Sequence, residues 1–186
     1  MMESGRNPAF QSIALARIVK SWIFHFRADI ARAVLSHEIK SKRKAASKRE
    51  RSFAVRLNGT SDIDHSETIR DFPSVSFYDY TKRIDRNFDK CKNELNYHLT
   101  LSAGSLFDTL GTAIKYRLNY AGVLNVKRNA VLPSHIEING IKFPVIDGDI
   151  TDWRIGDNND TTNIVGLRVK RTPNQTEEMR KAFCIA

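Results

Sequence analysis

From residue 53 onward, short strand-like runs alternate with helical runs, and this alternation restricts the chain to a small set of α/β folds. Four runs rich in β-branched and aromatic residues have the length of strands: residues 53–57, 75–80, 97–101 and 123–126. Strands that are separated by helices pair in parallel through right-handed crossovers. The alternation therefore predicts an α/β protein with a mainly parallel sheet.

The pattern changes after Arg128, where a β-hairpin is predicted over residues 135–147. Asn139-Gly140 stands between two apolar runs, and this dipeptide is the strongest short-range hairpin signal. A last strand is predicted over residues 164–169. The hairpin and the last strand should therefore extend the parallel sheet at its C-terminal side.

A helix is predicted over residues 106–119, because Leu106, Leu110, Ile114 and Leu118 recur at the steps of one helical face. Gly122 stands where a helix C-cap belongs, and glycine is common there because it adopts the left-handed conformation freely. The strand over residues 123–126 should follow directly.

The N-terminal part reads as one long amphipathic helix over residues 10–39, followed by a basic segment over residues 40–51. We predict that residues 1–52 form a basic helix and arm packed on an α/β core at 53–172, with a polar tail at 173–186, in a single domain. The apolar stripe of the helix is most simply core, and a homodimer interface is the alternative: Ile13, Ala16, Val19, Trp22, Ile23, Phe26, Ile30 and Val34.

The positive charge of the chain is confined to its first third. Residues 1–56 carry 13 lysines and arginines against four acidic residues, whereas residues 57–186 carry 17 of each. Segregated charge of this kind favours a polyanionic partner such as nucleic acid or a nucleoprotein, although a solvated basic helix would give the same pattern. The residues predicted to bind the partner are Lys40, Lys42, Arg43, Lys44, Lys48, Arg49 and Arg51.

Several classes of protein are excluded by what the sequence lacks. No apolar run approaches the roughly 20 residues that a membrane span needs, and the N-terminus does not resemble a secretory signal. Two cysteines, Cys91 and Cys184, are too few for a disulfide framework. The sequence also has no Walker A, dinucleotide-binding, zinc-protease or serine-hydrolase motif. We therefore expect a cytoplasmic protein without a cofactor.

Polar residues follow three successive predicted strands, and they indicate where a site would lie. In a parallel sheet, ligands bind beyond the carboxyl ends of the strands. The rim consists of Asn58, Thr60, Ser61, Asp62, Asp79, Thr81, Lys82, Thr100 and Ser102. Asp62, Asp79 and Lys82 are the candidate catalytic residues of this rim. The Asp, Asn and Ser residues of the rim also favour turns for backbone reasons, and that interpretation is the simpler one.

A metal site is not expected, although Asp147 and Asp149 are candidate ligands in a glycine-containing loop. Carboxylate oxygens suit a hard cation. The spacing of these residues nevertheless matches neither a calcium-binding loop nor a two-metal nuclease motif.

Residues 56–63, 77–82 and 96–102, taken in order, resemble a family of uncharacterised bacteriophage proteins. Its longer members share a gene-product domain that has been likened to half of a radical-SAM-type barrel. Residues 145–149, Asp152 and residues 164–167 are similar to the closing region of that family, so that the resemblance spans roughly residues 50–170. It implies a phage or mobile-element origin and a β-α core like part of a barrel, but no known reaction.

The chain departs from this family in one respect. Longer relatives carry a cysteine-rich segment before the first helix, which suggests an iron–sulfur site. This chain has no cysteine before Cys91, so we interpret it as a shortened member, and cluster chemistry is not expected.

Three functions remain open from the sequence. The favoured one is a non-catalytic phage accessory protein that binds nucleic acid or a host nucleoprotein, for example an inhibitor of a bacterial defence complex resembling an anti-CRISPR protein. The second is a metal-dependent nuclease or nucleotide-processing enzyme that uses the strand-end aspartates and lysine. The third is a homo-oligomeric structural or assembly protein.

Overall fold

The chain divides into two compact units, Met1–Phe53 and Ala54–Ala186. The structure is a computed structural model, which describes residues 8–59, 61–89, 96–104, 109–157, 160–170, 176–179 and 184–185. The first unit is helical, and the second contains the sheet.

The helical unit consists of two helices, α1 (Pro8–Phe26) and α2 (Ala28–Ser47), where the sequence predicted one helix over residues 10–39. That prediction was wrong at Arg27, whose φ of −138° and ψ of 57° leave helical geometry. The guanidinium of Arg27 donates to both carboxylate oxygens of Asp29, at 3.1 and 2.9 Å. Asp29 lies in the first turn of α2, where the helix dipole favours a negative charge, so this local pair replaces a conventional cap at the break.

The apolar stripe of α1 keeps much of its surface exposed. Trp22 is 56% exposed and Phe26 is 69% exposed, and their rings lie against each other with centroids 5.5 Å apart. Helix α2 buries Ala31 and Ile39. Exposed apolar patches on soluble proteins are commonly interaction sites. The expected burial of this stripe stays a prediction.

The second unit contains one seven-stranded sheet with the order β1-β2-β3-β4-β7-β6-β5. All neighbouring strands pair in parallel except β5 and β6, which are antiparallel, so the prediction of a mainly parallel sheet is confirmed. The described strands form an open sheet and do not close into a barrel. The strands are β1 (Ala54–Val55), β2 (Ser76–Thr81), β3 (Tyr97–Ser102), β4 (Asn119–Leu124), β5 (His135–Ile138), β6 (Ile141–Asp147) and β7 (Ile164–Arg168).

The predicted hairpin is confirmed as β5 and β6, which Asn139 and Gly140 connect. Both connecting residues have positive φ, 52° and 78°, as a type I′ turn requires. The last predicted strand is confirmed as β7, which lies between β4 and the hairpin. By contrast, the first strand is limited to Ala54–Val55, shorter than the predicted run over 53–57.

The helix and strand predicted around Gly122 were placed wrongly. Helices α3 (Ser66–Asp71) and α4 (Thr109–Tyr116) accompany the sheet in the described part of the chain, and residues 106–108 of the helix predicted over 106–119 lie outside it. Arg117 adopts the left-handed conformation at the end of α4, with φ of 53°, so that no glycine is needed there. The chain then enters β4 at Asn119. Gly122 lies inside this strand, where the Ile185 side chain occupies the space that a Cβ atom would need.

The hydrophobic core of the second unit lies on one face of the sheet. Leu99 and Leu101 of β3, Tyr120 of β4 and Ile164 of β7 pack there with Ala113 of α4. Because six strands run in the same direction, their carboxyl ends meet at one edge of the sheet. The described rim residues therefore lie at or near that edge, with Asp79 and Thr100 inside β2 and β3.

Candidate functional site

The first candidate site is the basic segment, residues 40–51, which covers the end of α2 and the turn that follows. All seven of its basic side chains are exposed, and among the described residues none of them forms an ion pair. The sequence prediction named these seven residues, and their role in binding stays a prediction: Lys40, Lys42, Arg43, Lys44, Lys48, Arg49 and Arg51.

Part of the basic segment forms one charged face. Lys40, Lys44 and Lys48 follow each other at four-residue intervals, so successive side chains lie over one another about 6 Å apart along the helix. Arg43 lies on the same side because it is three residues from Lys40. Cations at a helix C-terminus are also favoured by the helix dipole, which offers a purely structural reason for some of this charge.

The second candidate site is the strand-end rim, and its most buried member is Asp79 of β2, which has no exposed surface. Its carboxylate accepts hydrogen bonds from the Asn58 backbone N–H at 2.7 Å and from the Tyr97 hydroxyl at 3.3 Å. The Asn58 side-chain amide lies 3.3 Å from the second carboxylate oxygen. Burial raises the pKa of Asp79 to about 6, although these hydrogen bonds and the charge of Arg86 oppose the shift.

Asp62 belongs to the same region of the rim. Its carboxylate accepts a hydrogen bond from the Thr81 hydroxyl at 2.6 Å and one from the Lys82 backbone N–H at 3.1 Å. It also pairs with Arg86 at 3.0 Å, and the Arg86 side chain is only 7% exposed. The structure therefore brings Asp62 and Asp79 into one network around Arg86, where both carboxylates hold loops in place.

Lys82 lies apart from this network, although its backbone contacts Asp62. Along β2 the buried residues Phe77, Asp79 and Thr81 alternate with the half-buried Tyr78 and Tyr80. Successive side chains of a strand point to opposite faces. The Lys82 side chain accordingly lines a pocket with Tyr80, on the face opposite Asp79.

This pocket has a volume of about 530 Å³ and lies at the carboxyl ends of the central strands. We call it the edge pocket. Its polar wall is formed by Arg56, Tyr80, Lys82, Ser102 and Asp152. The remaining lining residues, which are mostly apolar, include Ala121, Val123, Leu167 and Ile185.

Arg56 organises the polar wall of the edge pocket. Its guanidinium lies 4.7 Å from the centre of the Tyr80 ring, a cation–π contact, and pairs with Asp152 at 2.7 Å. The Nε atom of Arg56 is buried and has no acceptor among the described residues. Burial raises the pKa of Tyr80, so this phenol remains protonated at neutral pH.

A titratable cluster surrounds Tyr80 on the same face of the sheet. Arg154 is 2% exposed and lies 3.3 Å from Asp157, and its guanidinium also donates to the Thr151 carbonyl. Its Nε atom has no acceptor among the described residues. Burial raises the pKa of Asp157 and lowers the pKa of His98, which the carboxylate of Asp157 partly offsets. The cluster therefore combines one fully buried cation with two groups whose charged forms are disfavoured.

Asp147 and Asp149, the candidate metal ligands, bind a cation of the protein itself. Arg168 of β7 pairs with Asp147 at 2.7 Å and with Asp149 at 3.1 Å, and the Asp147 pKa is lowered mainly by this hydrogen bond. Within the described part of the chain, no three His, Cys, Asp or Glu side chains are grouped so that they could hold a metal ion. Of the other candidates, Thr60 of the rim and Cys91 lie outside the described residues.

Sequence reasoning did not single out the edge pocket, although it named several residues near it. The sequence places Arg56 in a strand-like segment and in a run that resembles a phage family, but it gives no sign that Arg56 or Arg154 lies at a site. The loop at 151–157 brings Asp152 and Arg154 close to Tyr80. Local sequence patterns do not predict a contact between residues so far apart in the chain. An available signal was the alternation of Tyr78, Tyr80 and Lys82, which places these side chains on one face of a strand.

Comparison with known proteins places the chain in a family. The model of the Gene product 88 family matches residues 3–186, and the chain therefore belongs to this family. The match supports the predicted relation to uncharacterised phage gene products. No curated protein and no solved structure matches the chain. The likeness to a radical-SAM-type barrel and the interpretation as a shortened member stay predictions.

In the part of the chain that the structure describes, no helix is both long enough and apolar enough to cross a membrane.

Proposed function

We propose that this member of the Gene product 88 family is a non-catalytic phage accessory protein that binds nucleic acid through its basic segment. The observation that carries the proposal is the set of seven exposed basic side chains without an ion-pair partner among the described residues. Phosphates are the natural counterions for such a face, because each contact releases condensed cations from the nucleic acid.

The basic segment suits backbone contacts better than base readout. Lys40, Lys44 and Lys48 present point charges on flexible stems, which bind phosphates without fixing a geometry. Binding should therefore depend little on sequence and strongly on salt. A host defence complex that contains nucleic acid, reached in the cytoplasm, is the biological setting in which an anti-CRISPR-like inhibitor with this property would act.

The test is the salt dependence of binding to a short DNA duplex, compared with single-stranded DNA and RNA. For duplex DNA, the logarithm of the association constant should fall with the logarithm of salt concentration by about 0.9 per phosphate contact. The triple variant Lys40→Gln, Lys44→Gln and Lys48→Gln should flatten this slope by about two to three units.

A matched control carries the same change of charge elsewhere. Lys127, Lys142 and Lys170 are exposed lysines of the second unit, and their triple substitution by glutamine should leave the slope unchanged. Equal effects of the two triple variants would indicate a response to net charge alone. Absence of binding at low salt would refute nucleic-acid binding and favour a protein partner with an acidic surface.

The alternative of a metal-dependent nuclease or nucleotide-processing enzyme has less support from the geometry. Asp62 and Asp79 hold loops, and Asp79 has no surface that a substrate could contact. Asp147 and Asp149 are neutralised by Arg168. An enzyme of this family would therefore need a different set of reacting groups from the strand-end aspartates.

A further inference from the structure

We propose that the edge pocket is a binding site for a small organic phosphate of about mononucleotide size. This site lies in the second unit and is independent of the basic segment. The argument rests on the volume of the pocket, the charge of its wall and the Arg56 guanidinium.

The volume and the lining together indicate an organic ligand. A pocket of about 530 Å³ lies within the range of sites for drug-sized molecules and is several times larger than a single inorganic anion needs. One part of its wall consists of Val123, Leu167 and Ile185, which offer apolar contact to a ring or a carbon chain. A few convergent polar groups within a mainly apolar wall are typical of small-molecule sites.

The charge of the wall favours an anion. Its ionised side chains are Arg56, Lys82 and Asp152, which sum to one positive charge. Asp152 takes up one end of the Arg56 guanidinium at 2.7 Å, but Lys82 is exposed at the pocket and has no ion pair among the described residues. An anionic group that enters the pocket would therefore meet Lys82 and the free side of Arg56.

The Arg56 guanidinium gives a second reason. Arg56 lines the pocket and its side chain is 29% exposed, although its Nε atom is closed to solvent. A ligand oxygen would therefore contact the exposed part of the guanidinium and not Nε–H. Guanidinium groups recognise phosphate oxygens through several N–H donors at once.

The experiment uses the full chain and three probes: adenosine 5′-monophosphate, adenosine and inorganic phosphate. Isothermal titration calorimetry should show saturable binding of the monophosphate, and its affinity should exceed those of adenosine and of phosphate by about tenfold or more. If inorganic phosphate alone bound with comparable affinity, the apolar wall would contribute nothing, and the proposal of an organic ligand would be refuted. If adenosine bound with comparable affinity, the positively charged side chains would contribute nothing, and the proposal of a phosphate ligand would be refuted.

Variants locate the binding. Lys82→Gln should weaken binding of the monophosphate by about tenfold without loss of folding, because Lys82 is exposed and its side chain braces no described contact. Lys142→Gln is the matched control, since Lys142 is exposed at the opposite end of the sheet, near the start of β6. Arg56→Lys, which preserves the charge but removes the planar guanidinium, should also weaken binding. Lack of saturation at about 10 mM, or equal effects of the two lysine variants, would overturn the proposal and would leave DNA binding by the basic segment unaffected.

Discussion

The carboxylate of Asp79 accepts a hydrogen bond from the backbone N–H of Asn58 at 2.7 Å, which ties β2 to the loop after β1. The Asn58 side chain in turn accepts hydrogen bonds from Ser61 and from the Ile63 backbone, both at 2.9 Å. The sequence suggests this rim as a reaction site, but Asp79 and Asn58 hold the loop after β1 in place.

The Asp79 carboxyl should make stability depend on pH. Its pKa is about 6 in the folded protein and about 3.8 in an ordinary environment, so the folded state holds the proton more tightly. The contribution to stability is therefore complete below about pH 4 and is lost as the pH rises through about 6, by about 3 kcal/mol in order of magnitude. Urea unfolding of wild type and of Asp79→Asn at pH 4, 5, 6 and 7 should show a shallower decline for the variant. Asp89→Asn, at an exposed position, is the control, and an unchanged decline in Asp79→Asn would assign the pH dependence to other groups.

Gly122→Ala should disturb the contact between Ile185 and β4. A Cβ atom at position 122 would lie 3.0 Å from Ile185 Cγ1 and closer still to Cδ1, so the side chain must move. We expect a loss of about 1–2 kcal/mol in the free energy of unfolding, together with faster hydrogen exchange of the Ile185 amide, which donates to Val123 at 2.9 Å. In a double-mutant cycle, Gly122→Ala should destabilise the Ile185→Ala variant much less than it destabilises wild type. Gly59→Ala, where a Cβ atom meets nothing within 4 Å, should cost little by comparison.

Arg168→Lys should destabilise the loop after β6. The guanidinium binds Asp147 at 2.7 Å, Asp149 at 3.1 Å and the Ala130 carbonyl at 2.8 Å, and one ammonium group cannot make all of these bonds. We expect a lower melting temperature and a lower urea midpoint than in wild type. The exposed pair of Arg83 and Asp85 provides the comparison, since Arg83→Lys should change stability by less than about 0.5 kcal/mol. If Arg168→Lys and Arg83→Lys lowered stability equally, the three contacts of the Arg168 guanidinium would add nothing to the stability of the protein.

A substitution in the apolar stripe of α1 tests whether the stripe is an interface for self-association or part of the protein's own core. Trp22 is 56% exposed, so Trp22→Ala should lower the free energy of unfolding by about 1 kcal/mol or less. If a second copy covers the stripe, which is the alternative to burial in the core, sedimentation equilibrium should show weaker self-association in this variant. Arg17→Ala on the same helix is the control. A loss of about 3–5 kcal/mol would instead reveal that the stripe is core, as the sequence alone suggests.

The regular features of the fold could be predicted because their signals are local. Asn139-Gly140 specifies a hairpin by its backbone preferences, and both residues adopt the positive φ angles that this requires. The parallel sheet follows from alternating strand and helix patterns. The break at Arg27 and the left-handed Arg117 had no such signal, because any residue type can be forced into these conformations by its surroundings.

The candidate site could be predicted only in part, for a related reason. The position of the rim follows from strand direction, but the function of each side chain depends on which face it occupies and on what packs there. Asp79 and Lys82 are three residues apart and face different surroundings, one in a buried network and the other in the edge pocket. The partner of Arg56 is Asp152, which no spacing rule connects with it.

The strand order constrains the sequence of events in which the sheet can assemble. Strands β5 and β6 are synthesised before β7, yet β7 lies between them and β4, so the hairpin joins the sheet only through a strand that leaves the ribosome later. Until β7 is available, the edge of β6 remains unpaired, and an unpaired strand edge can pair with a wrong strand or with another chain. The first four strands need no such delay, since each pairs with the strand made just before it. We therefore expect a late folding step in which β7 docks onto β4 and brings the hairpin with it.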